Sequence, residues 1–333
     1  MTAGAVLRRH LEPLTPLLAA DGVTDLVVNR PFEVGVEAGG VWRWRAAPEL
    51  DPTWLMTLAI AAAAHTRQDI DDTHPICSTV LPGGARCQIA APPATPPDQI
   101  SLTLRLPSKA PRDAQAIPDD LFQGVQARHP PRTAEDDALI ALKAAGDWPG
   151  FFRRAVRLRR NILISGATGS GKTTFAKRLL RLIPPDERLI TIEDARELDP
   201  PHRNVVHLLY ASEGQGLSQL RPEALLRSAL RMRPDRVLFQ ELRDGSAYHF
   251  LRAVNSGHPG SITTIHANSA ALAFEQLFLL VRESEAGRDL PRDDVRALLR
   301  LLIDIVVQVA RVDGAYRVTE VWHDPDGGRA LRP

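Results

Sequence analysis

Gly166-Ala167-Thr168-Gly169-Ser170-Gly171-Lys172-Thr173 is the stretch that decides the fold of this 333-residue chain. It fits the pattern G-x-x-x-x-G-K-[ST], with an apolar run at 161–165 that predicts a buried strand before it and a helix predicted from Thr173 onward. In that context the glycines let consecutive backbone N–H groups close around phosphate oxygens, and the helix N-terminus adds the positive end of its dipole. The sequence therefore predicts a P-loop that binds a nucleoside triphosphate.

The residues of this loop have separate expected roles. Lys172 is expected to reach the β- and γ-phosphates, and the hydroxyl of Thr173 is expected to ligate magnesium. The full set of expected nucleotide-contacting residues in this segment is Gly166, Ala167, Thr168, Gly169, Ser170, Gly171, Lys172, Thr173 and Thr174.

Beyond the P-loop, short apolar runs alternate with helical stretches. This alternation is the sequence form of a parallel sheet with helices on both faces, so we predict an α/β fold for this part of the chain. The predicted strands are 161–165, 189–192, 205–209, 236–239 and 261–265, and the predicted helices between them are 218–231 and 244–255.

The part of the chain before the P-loop mixes helical and strand patterns and is interrupted by prolines at 92–97 and 107–131. The predicted helices are 4–20, 52–65 and 133–145, and the predicted strands are 24–29, 33–37, 41–45, 75–81, 85–91 and 100–106. We predict a smaller α/β domain at 1–132, a linker with a connecting helix at 133–152, and the P-loop domain at 153–333.

The charge balance excludes one class of function and suggests an arrangement. A formal net charge of +1 does not resemble a general nucleic-acid coater, so no specific nucleic-acid binding is expected. Residues 1–147 carry 13 basic and 18 acidic side chains, whereas 148–333 carry 28 and 22. Opposite charges suit two domains that face each other, although scatter in the count explains the difference equally well.

Cysteine content and hydropathy indicate the cellular compartment. Two cysteines make neither a disulfide framework nor a four-ligand zinc site, which favours a reducing cytoplasm. Charged residues interrupt the first apolar stretch, so we expect no signal peptide, and the longest apolar run is too short for a membrane span.

Carboxylates follow two of the predicted strands, where hydrolysis would need them. Glu193, Asp194 and Glu197 come after the run at 189–192, and Glu241 comes after 236–239. Such carboxylates hold the water shell of a magnesium ion or orient the attacking water. The alternative is that they only cap helices.

A histidine and an arginine complete the candidate site. His266 ends the fifth predicted strand, where it is either a sensor of the γ-phosphate or a structural histidine. Arg233 lies in an arginine-rich stretch upstream of Glu241 and could neutralise transition-state charge, in its own subunit or across a subunit boundary. A solvated basic corner is the alternative interpretation of that stretch.

Taken in order, these motifs resemble the bacterial type IV secretion system traffic ATPases, the hexameric members of the secretion ATPase superfamily. Segments 22–31 and 91–107 are also similar to the family's N-terminal domain, so the resemblance covers nearly the whole chain. The motifs that carry it are the P-loop, the aspartate box Ile192-Glu193-Asp194, the stretch 230–236 with Glu241-Leu242-Arg243, and 256–260 running into the histidine box at 264–267.

The resemblance implies a fold, an assembly and a function. The fold would be an N-terminal α/β domain and a C-terminal RecA-like domain with a mainly parallel sheet, assembled as a homo-hexamer with ATP between the two domains and Mg²⁺ as cofactor. Hydrolysis would power the export of protein or nucleoprotein substrates, or pilus assembly. The ring would lie in the cytoplasm, peripheral to the inner membrane, among other secretion-system components.

The resemblance also implies residue roles. Arg105 corresponds to the N-terminal arginine that reaches the nucleotide, Glu197 and Glu241 to the two acidic residues assigned to catalysis, and His266 to the histidine-box residue. The expected catalytic residues are Lys172, Glu197, Glu241, His266 and Arg233, and the expected metal residues are Thr173, Glu193 and Asp194.

One position departs from the family pattern. Gln240 stands where family members commonly carry a small residue, and a larger polar side chain there puts the rate of hydrolysis in doubt. A nucleotide-gated docking scaffold with slow hydrolysis therefore stays open as a second hypothesis. A nucleic-acid translocase and a type II secretion or pilus-assembly ATPase also stay open.

Overall fold

The computed structural model describes residues 3–107, 133–211 and 218–325. The first range forms one antiparallel sheet in the order β3-β2-β1-β6-β5-β4, with helices packed against it. Its elements are α1 (Ala3–Leu11), α2 (Thr15–Ala19), β1 (Val23–Val28), β2 (Glu33–Ala38), β3 (Val41–Ala46), α3 (Pro52–His65), β4 (Ile76–Val80), β5 (Arg86–Ala90) and β6 (Ser101–Arg105).

One helix of this part differs from the sequence expectation. The helix predicted over 4–20 is two helices, α1 and α2, separated by a turn around Pro13. Proline has no backbone N–H and its ring crowds the preceding turn, so a helix does not continue through it at low cost. The longer helix α3 forms as expected, with the Asp51 side chain accepting a hydrogen bond from the Trp54 amide at its N-terminus.

The other two ranges form the P-loop part of the chain. Its elements are α4 (Ala134–Ala144), α5 (Trp148–Arg157), β7 (Ile162–Ser165), α6 (Lys172–Leu180), β8 (Leu189–Glu193), β9 (Val205–Leu209), α7 (Pro222–Ala229), β10 (Arg236–Phe239), β11 (Glu241–Leu242), α8 (Ser246–Asn255), β12 (Ile262–Ile265), α9 (Ala270–Glu283), α10 (Arg292–Leu302), β13 (Ile305–Val312) and β14 (Ala315–His323).

These strands make a mainly parallel sheet. β10 pairs with β8, and its continuation β11 pairs with β12, so the strand order reads β9-β8-β10/β11-β12-β7-β13-β14. Every neighbouring pair is parallel except β13 and β14, which form an antiparallel hairpin. The predicted α/β fold class is confirmed. The sequence analysis assigned no element beyond the fifth strand, so α9, α10 and the β13–β14 hairpin are additions.

The two parts of the chain pack along edge strand β9 and over the amino ends of the parallel strands. Leu209 at the end of β9 donates its backbone N–H to Ala94, and the small side chains of Ala90 and Ala94 enter the core beneath α7. At the amino edge, buried Arg188 donates to the side chains of Asn29 and Thr103. The domain bounds stay a prediction, and the proline-rich segment 108–132 lies outside the described residues.

The charge asymmetry corresponds to real contacts. Arginines of the P-loop part face the first part of the chain: Arg203 reaches Glu33 at 2.9 Å, and Arg233 lies 3.7 Å from both Asp25 and Glu37. Burial lowers the pKa of Arg188 to about 9, with nearby Arg233 acting in the same direction and Asp25 and Asp235 opposing it. The two charge surfaces therefore meet within one chain.

In the described ranges, no helix is long and apolar enough to cross a membrane.

Candidate nucleotide-binding and hydrolysis site

The P-loop connects the carboxyl end of β7 to the first turn of α6. Gly171 is the residue before this helix, with φ +92°, a conformation that favours glycine, and the helix start has no side-chain cap. The first backbone N–H groups of α6 are therefore open to an anion. Gly166 also requires glycine, because a Cβ there would fall 2.4 Å from the carbonyl oxygen of Val309.

Lys172 is buried at the start of α6, and its ammonium group is held over the loop. Its Nζ donates to the carbonyl oxygens of Gly166 at 2.9 Å and Ala167 at 3.1 Å. Burial lowers the pKa of Lys172; Glu241 opposes that shift and Arg243 adds to it. A bound triphosphate would supply the negative charge that favours the protonated form.

Lys172, Glu241 and His266 form one cluster at the carboxyl edge of the sheet. His266 Nε2 lies 2.9 Å from Oε1 of Glu241, and its Nδ1 lies 3.4 Å from Nζ of Lys172. Lys172 Nζ is also 3.9 Å from the same Glu241 oxygen. A neutral imidazole with its proton on Nε2 satisfies both neighbours, since it donates to the carboxylate and accepts from the ammonium group.

Arg243 joins the two strand-end carboxylates. Its guanidinium donates to Oε2 of Glu241 at 2.5 Å and to Oδ2 of Asp194 at 2.6 Å. Burial lowers the pKa of Arg243, but the hydrogen bond and the charge of Glu241, together with Asp194, outweigh this and leave it raised. The arginine therefore links the two acids through its guanidinium group.

Gln240, the residue that departs from the family pattern, is directed at the backbone. Its side-chain oxygen accepts a hydrogen bond from the Asp194 amide at 3.2 Å, and the side chain is buried. Gln240 thus links the end of β10 to the end of β8, and its side-chain amide oxygen positions the backbone of Asp194.

Glu193, which the sequence analysis assigned to the metal, has protein partners on both carboxylate oxygens. The residue is completely buried, and one carboxylate oxygen accepts from Thr191 and faces His207 at 3.1 Å. The other oxygen accepts the backbone N–H groups of Glu197 at 2.8 Å and Leu198 at 2.7 Å. One oxygen therefore holds the loop after β8 and the other is engaged by side chains of β8 and β9, which leaves Asp194 and Thr173 as the metal candidates.

Replacing Glu193 by Gln is expected to lower the free energy of unfolding by about 1–3 kcal/mol. The reason is that the NH₂ group of glutamine is a donor, and it would face hydroxyl or N–H groups that donate to the carboxylate. The matched control is Glu197→Gln, whose carboxylate is exposed on the same loop and whose loss should change stability by less than about 0.5 kcal/mol. Chemical denaturation of both variants measures the difference.

The contribution of Glu193 to stability can also be tested by its dependence on pH. Burial raises the pKa of Glu193, but hydrogen bonds from His207, Thr191 and two backbone amides outweigh it, so the folded pKa lies below its ordinary value of 4.5. The stabilisation is then present above pH 4.5 and is lost as the pH falls through the folded pKa. An equal effect of Glu193→Gln at neutral and acid pH would contradict this account.

Glu197 lies on the loop after β8, and its carboxylate is exposed, outside the contacts that join Lys172, Glu241 and His266. Its backbone amide, by contrast, is fixed by Glu193.

Arg233 and Arg105 are not brought to the P-loop of their own chain. Arg233 precedes β10 at the amino edge of the sheet, between acids of β1 and β2, with its guanidinium 5.5 Å from the ring centre of Trp42. Arg105 ends β6 directly opposite Asp25, the same residue that Arg233 approaches. The P-loop lies at the carboxyl edge, four strands from β9, which is about 19 Å across the sheet. Arg105 and Arg233 are therefore not in the contacts that form around Lys172 in the same chain, and the position of ATP between the two domains stays a prediction.

A magnesium ion fits the site only together with the phosphates of a nucleotide. In the described part of the chain, no group of three or more histidine, cysteine, aspartate or glutamate side chains could hold a metal by itself. Thr173 and Asp194 offer a hydroxyl and a carboxylate, and Mg²⁺ typically completes such a site with waters and substrate oxygens. The residues present fit that mode of binding.

The sequence analysis missed the roles of Arg243 and His207. The motif that contains Arg243 predicts no function for it, although an arginine two residues after a strand-end glutamate can contact that glutamate, as Arg243 does at 2.5 Å. His207 lies in the middle of a buried strand, where nothing in the local pattern indicates its contact with Glu193.

Comparison with known proteins supports the same interpretation. A family profile described as "Type II/IV secretion system protein" matches residues 145–310. The chain is 44% identical to the type IV secretion system protein VirB11 of Bartonella quintana (strain Toulouse), over 96% of this chain and 94% of that protein. It is 46% identical to VirB11 of Brucella suis biovar 1 (strain 1330), over 97% and 91% of the two chains.

A solved structure is similar over almost the entire length. It is the crystal structure of the VirB11 ATPase from the Brucella suis type IV secretion system, in complex with sulphate, with a TM-score of 0.91. The identity is 44%, over 99% of this chain and 97% of that one. The predicted resemblance to type IV secretion ATPases is thereby confirmed.

Proposed function

The chain belongs to the VirB11 family of type IV secretion system ATPases, and on that premise we propose that it works as a homo-hexameric ring in which each ATP site is completed by a neighbouring subunit. ATP hydrolysis powers secretion in this family. The observation that carries the proposed site is the cluster of Lys172, Glu241 and His266 beside an uncapped helix N-terminus.

The chain's own groups divide the work of hydrolysis. The amides of the P-loop and the ammonium group of Lys172 bind the phosphates and neutralise charge that develops on the β–γ bridging oxygen. Glu241 accepts a proton from the attacking water, whose oxygen bonds to the γ-phosphorus as the bond to ADP breaks. His266 donates to Glu241 and so holds its carboxylate in position.

Thr173 and Asp194 are the proposed residues for the magnesium ion, which when bound neutralises charge on the β- and γ-phosphates. Asp194 is positioned by two contacts: its amide donates to Gln240, and its carboxylate accepts from Arg243. Glu197 keeps its proposed catalytic role, supported by the fixed backbone of its loop. Arg243 is a positioning residue that contacts both Glu241 and Asp194.

The sheet geometry supports a contribution from a second copy of the chain. Arg105 is paired with Asp25, which Arg233 approaches at the amino edge of the parallel sheet, and this placement away from its own P-loop supports a contact with the nucleotide of another subunit. Arg233 lies on the same side and keeps a proposed role only across a subunit boundary. A closed ring gives every P-loop one such neighbour. We place this ring in the cytoplasm, peripheral to the inner membrane, where other secretion-system components meet it.

A mixing experiment tests the contribution of the neighbour. The Arg105→Ala and Lys172→Ala variants are each expected to lose ATP turnover, whereas co-expressed rings should recover about a quarter of the wild-type rate. Half of the P-loops are then intact, and half of those face a neighbour with Arg105. Phosphate release measures the rate, and co-purification of the two variants through different affinity tags confirms that mixed rings form. If rings form without recovered turnover, Arg105 does not act across the subunit boundary.

A further inference from the structure

A cavity on the other side of the P-loop brings the β13–β14 hairpin, which has no role so far, against the start of α6. It has a volume of about 510 Å³ and lies between α6 and the β13–β14 hairpin. Its lining includes Gly171, Thr174 and Arg178 from the loop and helix, with Val309 and Tyr316 from the hairpin. This volume falls within the range of small-molecule sites.

Tyr316 lies directly against the P-loop. A Cβ on Gly171 would fall 2.8 Å from Cδ1 of the Tyr316 ring, so the ring rests on the glycine that begins the phosphate-binding helix. At the same time, 56% of Tyr316 is exposed, which leaves an aromatic surface open to solvent beside the loop. The hairpin holds it there, with Tyr316 paired to Arg311 next to the turn at Asp313 and Gly314.

The order of the strands gives the direction of a bound nucleotide. The β7 strand that leads into the P-loop lies between β12 and β13. Glu241 and His266, the groups that act at the γ-phosphate, lie on the β12 side, and Tyr316 lies beyond β13. A triphosphate bound around the start of α6 with its γ-phosphate at Glu241 therefore directs its α-phosphate and nucleoside toward Tyr316.

We infer that Tyr316 stacks on the purine base of the nucleotide and that Arg178 lies beside the nucleoside in the same cavity. This inference rests on the proposed function of the P-loop and adds the site for the base, which the P-loop motif does not specify. Aromatic side chains bind bases through their faces, and removing one such ring weakens binding measurably. Arg178 follows Thr174 by one helical turn, so both side chains face the cavity.

Calorimetric titration with Mg-ATP and with Mg-tripolyphosphate separates the base from the phosphates, because tripolyphosphate has no nucleoside. Tyr316→Ala is expected to raise the Kd for Mg-ATP about tenfold while the Kd for Mg-tripolyphosphate stays within about twofold of wild type. Tyr316→Phe keeps the ring and should retain wild-type affinity for both ligands. In turnover assays, Tyr316→Ala should raise KM with little change in kcat.

The matched control is Val312→Ala, an exposed apolar residue of the same hairpin that does not line the cavity. An unchanged Kd for Mg-ATP in Tyr316→Ala would overturn the inference. Equal weakening of both ligands would also overturn it, because it would mean that the ring only supports Gly171. A wild-type chain that binds neither ligand would overturn this inference and the proposed function together.

Discussion

Replacing Lys172 by alanine is expected to lower ATP turnover at least about a hundredfold, because one charge-bearing donor at the transition state is typically worth that much. The physical reason is specific to this position: Nζ is buried, is held by two carbonyl oxygens of the P-loop and lies beside Glu241 and His266. No other lysine in the described residues has these contacts. Phosphate release in the presence of magnesium measures the loss.

The matched control for Lys172→Ala is Lys177→Ala, an exposed lysine on the same helix whose removal should leave turnover unchanged. Lys172 also binds its own loop, so thermal unfolding must show that the variant remains folded. Lys172→Gln, which keeps a donor without the charge, provides a second test. Wild-type turnover in the folded alanine variant would rule out the proposed mechanism.

Replacing Glu241 by glutamine is expected to reduce turnover by about two to four orders of magnitude, the usual range for removing a general base. Nucleotide binding should persist, because the phosphates are held by the P-loop and Lys172. Glutamine retains an oxygen for His266 and nearly the same volume, so the fold and the contact at 2.9 Å can survive. The variant should therefore bind ATP without hydrolysing it.

Single-turnover kinetics and calorimetry distinguish the two effects of Glu241→Gln. Slow chemistry with an unchanged Kd for Mg-ATP supports the role of a base, whereas a raised Kd with unchanged chemistry contradicts it. Glu283→Gln, an exposed glutamate at the end of α9, is the control for a change of charge alone.

The sequence predicted the P-loop and the strand-end acids because these features are local. The glycine spacing, the strand before it and the helix after it are contiguous, and the carboxyl ends of parallel strands must meet at one edge. Glu241 and His266 meet there as expected, at 2.9 Å. The roles of Glu193 and Asp194 could not be separated, since neighbouring residues on a strand end point to opposite faces and only the fold shows which face is buried.

Contacts between distant segments could not be predicted from the sequence in the same way. The charge asymmetry indicated that two surfaces meet, but the register that brings Arg188 to Asn29 and Thr103 depends on the packing of the two parts of the chain. The same packing places Arg105 and Arg233 away from their own P-loop, which a match of motifs cannot reveal. The β13–β14 hairpin was missed for another reason, because no predicted element anchored the chain after His266.

Secretion by cells that carry Glu241→Gln in place of the wild-type chain tests most directly whether ATP turnover at this site drives transport. With protein levels and solution mass unchanged and turnover abolished, the predicted result is that substrate export stops. Export at the wild-type level under those conditions would contradict a motor and would favour a nucleotide-gated scaffold.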